Sequence, residues 1–183
     1  SLVVSNAASA KLSGLEAEIS WLPGQTGLRL DVVLGLSDAH YGDYQNAVPT
    51  AEQSEAGQEV QDLSGRPLPD APRTSLLIEP SIGTSLPFAA GIQARWALNA
   101  AYRGDQFLAT DLDPHSFQEG YWLLGSSLSI APADEHWALN FSAQNLAFTR
   151  ALDRAGDNAV YANTYEAEQI PGRRLQLSFS MRW

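Results

Sequence analysis

The sequence predicts an all-β fold, an antiparallel up-and-down meander of about seven long strands. Three observations predict it. Apolar and polar residues alternate with period two in run after run. Short and long connections alternate strictly along the chain. The tryptophans all fall on the apolar phase of their runs.

The first run sets Leu15, Ala17, Ile19 and Trp21 against Gly14, Glu16, Glu18 and Ser20. The second sets Leu28, Leu30, Val32, Leu34 and Leu36 against Arg29, Asp31, Val33, Gly35 and Ser37. The third, Leu76 to Leu86, is interrupted by Pro80, which removes a ladder donor and counts against a strand. The fourth, Ile92 to Arg103, is the cleanest, with Trp96, Leu98 and Tyr102 on one face and Arg95, Asn99 and Arg103 on the other. The fifth, Trp122 to Ile130, alternates more loosely. In the sixth, Trp137, Leu139, Phe141 and Ala143 oppose Ala138, Asn140, Ser142 and Gln144. In the last, Leu175, Leu177, Phe179, Met181 and Trp183 oppose Arg174, Gln176, Ser178, Ser180 and Arg182. Helical spacing is nowhere sustained.

Three connections are short: Leu22 to Gly27, Pro87 to Gly91 and Ala131 to Glu135. Three are long: about Tyr44 to Arg73, Ala109 to Gly120 and Arg150 to Gly172. A meander with its short turns at one end and its long loops at the other produces this order, and transmembrane β-barrels have that asymmetry. The tryptophans agree. Trp21, Trp96, Trp137 and Trp183 lie towards the short-turn ends and Trp122 lies beside a long loop, as an interfacial girdle on a lipid-facing wall would place them. Trp96, Leu98, Leu177 and Phe179 are therefore expected to face lipid, and Arg95, Asn99, Gln176 and Ser178 to face inward.

Composition narrows the function. No stretch approaches the roughly 18 apolar residues of a membrane helix, but a barrel strand needs only about 9–11 residues with alternate ones apolar. The net charge is −10 and Lys11 is the sole lysine, which argues against nucleic acid as a partner because phosphate neutralisation supplies most of that affinity. There is no cysteine, hence no disulfide framework or thiol nucleophile. The opening Ser1-Leu2-Val3-Val4-Ser5 lacks the features of a secretion signal, which for an envelope protein predicts a mature chain or a fragment.

Several segments resemble the C-terminal third of TonB-dependent receptors. Asn6 through Glu18 is similar to a strand opening of that family, ending in Gly14-Leu15-Glu16-Ala17-Glu18. Asp62 to Arg73 resembles its Leu-x-Gly-x-x-Leu-Pro-Asn-Ala-Pro segment, with Asp70 where Asn is usual. Gly120-Tyr121-Trp122 fits a Gly-Tyr strand start, and Gln144-Asn145-Leu146 resembles an Asn-Leu-Thr-Asp segment, with Ala147 and Phe148 where Thr and Asp are common. The chain ends in Met181-Arg182-Trp183.

The resemblance implies residues 1–183 as the C-terminal segment of a receptor barrel of about 22 strands, with the plug domain absent from this sequence. It implies a bacterial outer-membrane location in contact with lipid, and active import of a scarce ligand such as a ferric siderophore, cobalamin or an oligosaccharide. The plug domain of the same parent chain would be a partner, and the TonB complex would be reached through the missing N-terminal part. Phe179 and the aromatic terminus Trp183 would form a signal for the barrel-assembly machinery. Seven strands cannot close in the even, antiparallel pattern of bacterial barrels, so an open sheet is expected unless Arg150 to Gly172 hides an eighth. Such a strand would favour a small closed barrel acting as a passive pore or adhesin. A soluble carbohydrate-binding β-sandwich is the other alternative.

No residues have catalytic spacing, so no enzyme activity and no cofactor are assigned. The inward charges Glu16, Glu18, Arg29, Asp31, Glu79, Arg95, Arg103 and Arg174 are candidates to line a lumen, where they can contact plug or solute. The simpler reading is that most pair with one another across strands. Asp38-x-His40 and Asp111-x-Asp113-x-His115 have a spacing that can ligate a metal on an extended chain, but solvated loop residues are the plainer reading and no metal site is assigned. His136 beside Glu135 reads as a surface turn residue. Gly83 and Gly125 read as bulges or close approaches. The loop aromatics Tyr41, Tyr44, Phe107, Phe117, Tyr161 and Tyr165 suit ligand contact or loop packing alike.

Overall fold

A computed structural model describes residues 9–24, 26–89, 91–158 and 164–182. Seven strands form one antiparallel sheet: β1 (Ala10–Trp21), β2 (Leu28–Tyr41), β3 (Thr74–Ser85), β4 (Ile92–Arg103), β7 (Tyr121–Pro132), β8 (Trp137–Gln144) and β11 (Arg174–Met181). The spatial order follows the chain order, with β1 and β11 at the two ends. Twelve-residue strands such as β1, β3, β4 and β7 reach roughly 40 Å at about 3.3 Å per residue. Tilted by about 45°, they rise roughly 28 Å, enough to cross the ~25 Å apolar band of a barrel.

Register makes the alternation into two surfaces. Leu28, Ile82, Trp96, Leu128, Phe141 and Leu177 stand in one unbroken row across six strands. The next row on the opposite face runs Arg29, Ser81, Ala97, Ser127, Ser142 and Gln176. A slip of one residue at any ladder would put a polar row into the apolar face, so the pattern specifies the pairing. The apolar face is bare: Leu15, Ile19, Leu177 and Phe179 are each more than 60% exposed. Contiguous bare apolar surface of this kind marks a face that meets an apolar partner.

Pro80 does not end its strand. β3 pairs with β2 without a break, Leu30 opposite Pro80, whereas its recorded pairs with β4 step from Ile78–Ala100 to Ser81–Ala97. The missing donor thus interrupts one ladder locally, and the rows on both sides hold the strand straight through it. The turn into β2 requires glycine at 27 and not at 83, where a Cβ would meet open space. Gly27 has φ 72° and Gly83 donates its N–H to the Gly27 carbonyl at 2.9 Å, so a side chain on Gly27 would run into the Gly83 backbone. At Gly125, a Cβ would meet the Asn99 side chain.

The long connections are not solvated strings. The first carries α1 (Ala51–Glu55), opened by a capping box in which Thr50 and Gln53 satisfy each other's backbone N–H groups. The second carries β5 (Gln106–Phe107), a 3-10 turn at Pro114–Ser116, and β6 (Phe117–Gln118), β5 pairing with β6. The third carries β9 (Leu152–Asp157) and β10 (Tyr165–Gln169), which pair with each other and not with the seven-stranded sheet. The strand sought in Arg150 to Gly172 is therefore a separate ribbon. The packed core sits among these connections: Tyr41, Ala47, Leu63 and Leu112 are buried, with Tyr44, Leu68 and Phe107 against them. β2 runs past the alternating run to Tyr41 because this cap holds its end, Tyr41 donating to the Arg66 carbonyl and Leu68 to that of Ala39.

Candidate functional site

All eight charged residues singled out in the sequence share the polar face. Arg29 grips Asp31 two residues along the same strand, Nε to Oδ2 at 2.5 Å and Nη2 to Oδ1 at 2.8 Å. Ser20 Oγ also donates to Asp31 Oδ1, at 2.6 Å, and Glu79 stands opposite Asp31 on β3. Arg95 donates to Ser81 Oγ at 3.2 Å and Arg103 to Gln106 Oε1 at 3.2 Å. Glu16 lies opposite Gly35, Glu18 opposite Val33 and Arg174 opposite Gln144. Among the described residues the close ion pair on this face is Arg29–Asp31 within β2, Arg95 and Arg103 hydrogen-bond neutral partners, and across strands Arg95 also attracts Asp31 and Glu18 attracts Arg29. A cleft of about 450 Å³ lies against this face between Ser85, Gln93, Arg95 and Ser129. The face is a hydrogen-bonding wall with embedded charge.

The tryptophans Trp21, Trp96, Trp122 and Trp137 share the apolar face. The Trp96 indole N–H is satisfied by Ser126 Oγ at 2.9 Å, a hydroxyl whose parity puts it on that same face. Trp122 stacks at a tilt on Tyr102, centroids 5.2 Å apart, at the long-loop end. Phe179 is opposite Leu139 and 64% exposed. Trp183 and Tyr161 lie outside the described residues.

The loop aromatics divide by role. Tyr41 and Tyr44 contact each other at 5.1 Å, and Phe107 meets Phe117 edge-on at 5.2 Å. Tyr165 instead lies over His115, centroids 4.4 Å apart. His40 is 3.6 Å from Asp38 near the end of β2. His136 Nδ1 is 2.6 Å from Asp134, and this contact is the first cause holding the Asp134 carboxyl below its usual range.

The solvated reading fails for Asp113, which is 1% exposed. Asp113 caps the 3-10 turn by accepting the His115 backbone N–H at 2.6 Å. Glu52 from the first long connection and Asp157 from the third join Asp111, Asp113 and His115 from the second. Burial, then the negative charge of Asp113, raises the Asp157 carboxyl above its ordinary range. Asp111 is raised by burial first and by Asp157 and Asp113 among the rest. Glu52 is lowered, chiefly by its own backbone N–H. The sequence did not reveal Glu52 or Asp157 as neighbours of this motif, since both are far from it in the chain. The cross-ties are polar: Gln61 Nε2 donates to the Val48 carbonyl at 2.6 Å and to that of Asp111 at 2.8 Å. The Ala51 N–H reaches Asp157 Oδ2 at 3.2 Å, and the Leu152 N–H reaches Gln118 Oε1 at 2.6 Å.

Two faces of opposite polarity on long antiparallel strands, with short turns at one end and packed connections at the other, define the wall of a transmembrane β-barrel. Over residues 1–146 the chain matches the family described as TonB dependent receptor-like, beta-barrel, and it belongs to that family. Its fold is similar to the crystal structure of the ferric yersiniabactin uptake receptor FyuA from Yersinia pestis, with a TM-score of 0.68 and 16% sequence identity. The match covers 93% of this chain and 23% of that one, so the chain spans under a quarter of that receptor's length. No curated protein matches it.

Proposed function

We propose that the chain serves as C-terminal wall strands of an outer-membrane, TonB-dependent transporter that imports a scarce ligand of the ferric siderophore, cobalamin or oligosaccharide class, and that it is not an enzyme. The observation that carries this reading is the six-strand register, which sets a bare apolar row beside a polar one, in a chain of the receptor-barrel family. In this reading the polar face lines the lumen, Trp21, Trp96, Trp122 and Trp137 sit at the membrane interfaces, and Phe179 and Trp183 serve assembly. The partners are lipid, the plug domain of the parent chain, the TonB complex through that plug, and the barrel-assembly machinery. FyuA's description as a ferric yersiniabactin uptake receptor favours an iron-carrying ligand.

The alternatives fare worse on specific observations. A sandwich would cover the apolar face with a second sheet, yet among the described residues the other strands form two two-stranded ribbons. A small closed barrel would need an eighth wall strand, and β9 and β10 pair with each other. The test is uptake of labelled ligands by the native host with and without an in-frame deletion in the gene. Loss of ferric-chelate uptake, with cobalamin and oligosaccharide uptake unchanged, is the expected result. Unaltered uptake of all three classes under scarcity would defeat the proposal.

A further inference from the structure

The three long connections converge on His115. Its Nδ1 lies 3.0 Å from Asp113 Oδ1 and 3.7 Å from Glu52 Oε1. One ligand atom from each of Glu52, Asp113 and His115 falls within 4.8 Å of the others. Two carboxylates facing one imidazole are a familiar metal-binding set, but exposed acidic groups also cluster without an ion. The decisive detail is beneath them. Asp113 is 1% exposed, and while its Oδ1 takes two contacts from His115, its Oδ2 is buried with no hydrogen-bond partner. The hydroxyl of Tyr165, whose ring lies over His115, is buried and unpartnered as well. Among the described residues these are the two buried side-chain polar atoms without a partner, and both belong to residues touching one histidine. A carboxylate oxygen buried without a donor is costly, and a bound cation removes that cost.

We propose that Glu52, Asp113 and His115 form a site for a divalent transition-metal ion of the zinc class, which fastens the first long connection to the second. Tetrahedral zinc bonds of about 2.0–2.2 Å set ligand atoms roughly 3.3–3.6 Å apart, and His115 Nδ1 lies 3.0 and 3.7 Å from its two carboxylate oxygens. The imidazole decides the class, because calcium and magnesium take oxygen ligands whereas nitrogen suits zinc and its neighbours. On binding, Nδ1 gives up its contact with Asp113 Oδ1 and turns its lone pair to the ion, while the His115 backbone N–H keeps Asp113 in place. The cleft above, bounded by Thr50, Glu52, Gln61, Arg66 and His115, leaves room for water in the remaining coordination positions. This site does not depend on which solute the protein imports.

The test uses the full-length natural protein in detergent, free of any affinity tag and stripped with a chelator. Titration calorimetry with zinc chloride, and separately with calcium chloride, is run on the wild type, H115A, E52Q and D113N. Retained heat-modifiable migration shows that each variant keeps its barrel. His115 is 62% exposed at its side chain, so H115A tests the idea even if D113N disturbs the loops. One saturable zinc site is expected, weakened more than about tenfold by H115A and by E52Q, a loss that even outer-shell changes inflict on metal sites. Chelation is also expected to speed protease cleavage within residues 42–73. Absence of saturable zinc binding, zinc binding indifferent to H115A, or calcium bound as tightly as zinc would each overturn the proposal.

Discussion

Asn145 closes β8 with φ 49°, a left-handed conformation that asparagine tolerates and alanine does not. Its Oδ1 accepts the Thr149 N–H at 2.8 Å, and its Nδ2 donates to the carbonyls of Thr149 at 2.9 Å and Pro171 at 3.1 Å. One side chain therefore ties both ends of the third long connection together. Two substitutions separate its contributions. N145A loses the hydrogen bonds and strains the backbone, and N145G loses the bonds alone. We expect N145A to lower the local opening free energy of residues 145–173 by about 1 kcal/mol more than N145G does, read by hydrogen exchange. Equal effects would show that conformation contributes nothing there. The Gln144-Asn145-Leu146 segment was recognisable in the sequence, but its role was not, because Pro171 is distant in the chain. Asp70 is the converse case. It departs from the asparagine usual in the family, and its φ of 54° shows that the position demands a residue tolerant of the left-handed region, which aspartate also is.

At the scale of the strand, the period-two pattern was sufficient. It gave the faces of Trp96, Leu98, Leu177 and Phe179 and of Arg95, Asn99, Gln176 and Ser178, and the register places each set on one surface. Pro80 counted against the third run, which is a strand all the same, since a sequence shows the missing donor but not the neighbouring ladder that remains whole. β11 offers a direct test of the two faces. Phe179→Arg puts a charge on the apolar surface, costing about 2–4 kcal/mol near the lipid midplane, whereas Ser178→Arg adds it to the polar one. The first is expected to reduce heat-modifiable protein in outer membranes and the second to leave it at wild-type level. A finer check replaces Leu177 or Ser178 with cysteine. A water-soluble maleimide should label Cys at position 178 in reconstituted bilayers and spare position 177. Reversal of that pattern would mean the register is wrong by one residue.

For the molecule as a whole, the alternation of short and long connections was legible, and among the described residues the third connection forms its own ribbon and adds no eighth strand to the sheet. The cap was not. Its core residues come from the end of β2 (Tyr41), the first connection (Ala47 and Leu63) and the second (Leu112), with no shared period, and polar sequence in a long loop reads the same whether it is packed or solvated. The buried core predicts cooperation between the connections. Leu63 is 3% exposed, and Leu63→Ala should cost about 2–5 kcal/mol of cap stability, the usual range for a buried leucine truncated to alanine. Because Leu63 packs in the same cluster as Leu112, exchange should quicken in residues 104–120 as well as 42–73, with the strands of the sheet unchanged. Faster exchange confined to 42–73 would mean the connections move separately.

The ties Ala51–Asp157, Gln61–Asp111 and Leu152–Gln118 stitch together stretches of chain up to 106 residues apart. An antibody that meets that end of the protein encounters a mosaic drawn from three stretches of sequence, with no single stretch supplying the outline. Serum raised against the folded protein should therefore bind that protein yet fail on overlapping synthetic peptides. An immunogen meant to imitate this surface would have to carry all three connections on their strands.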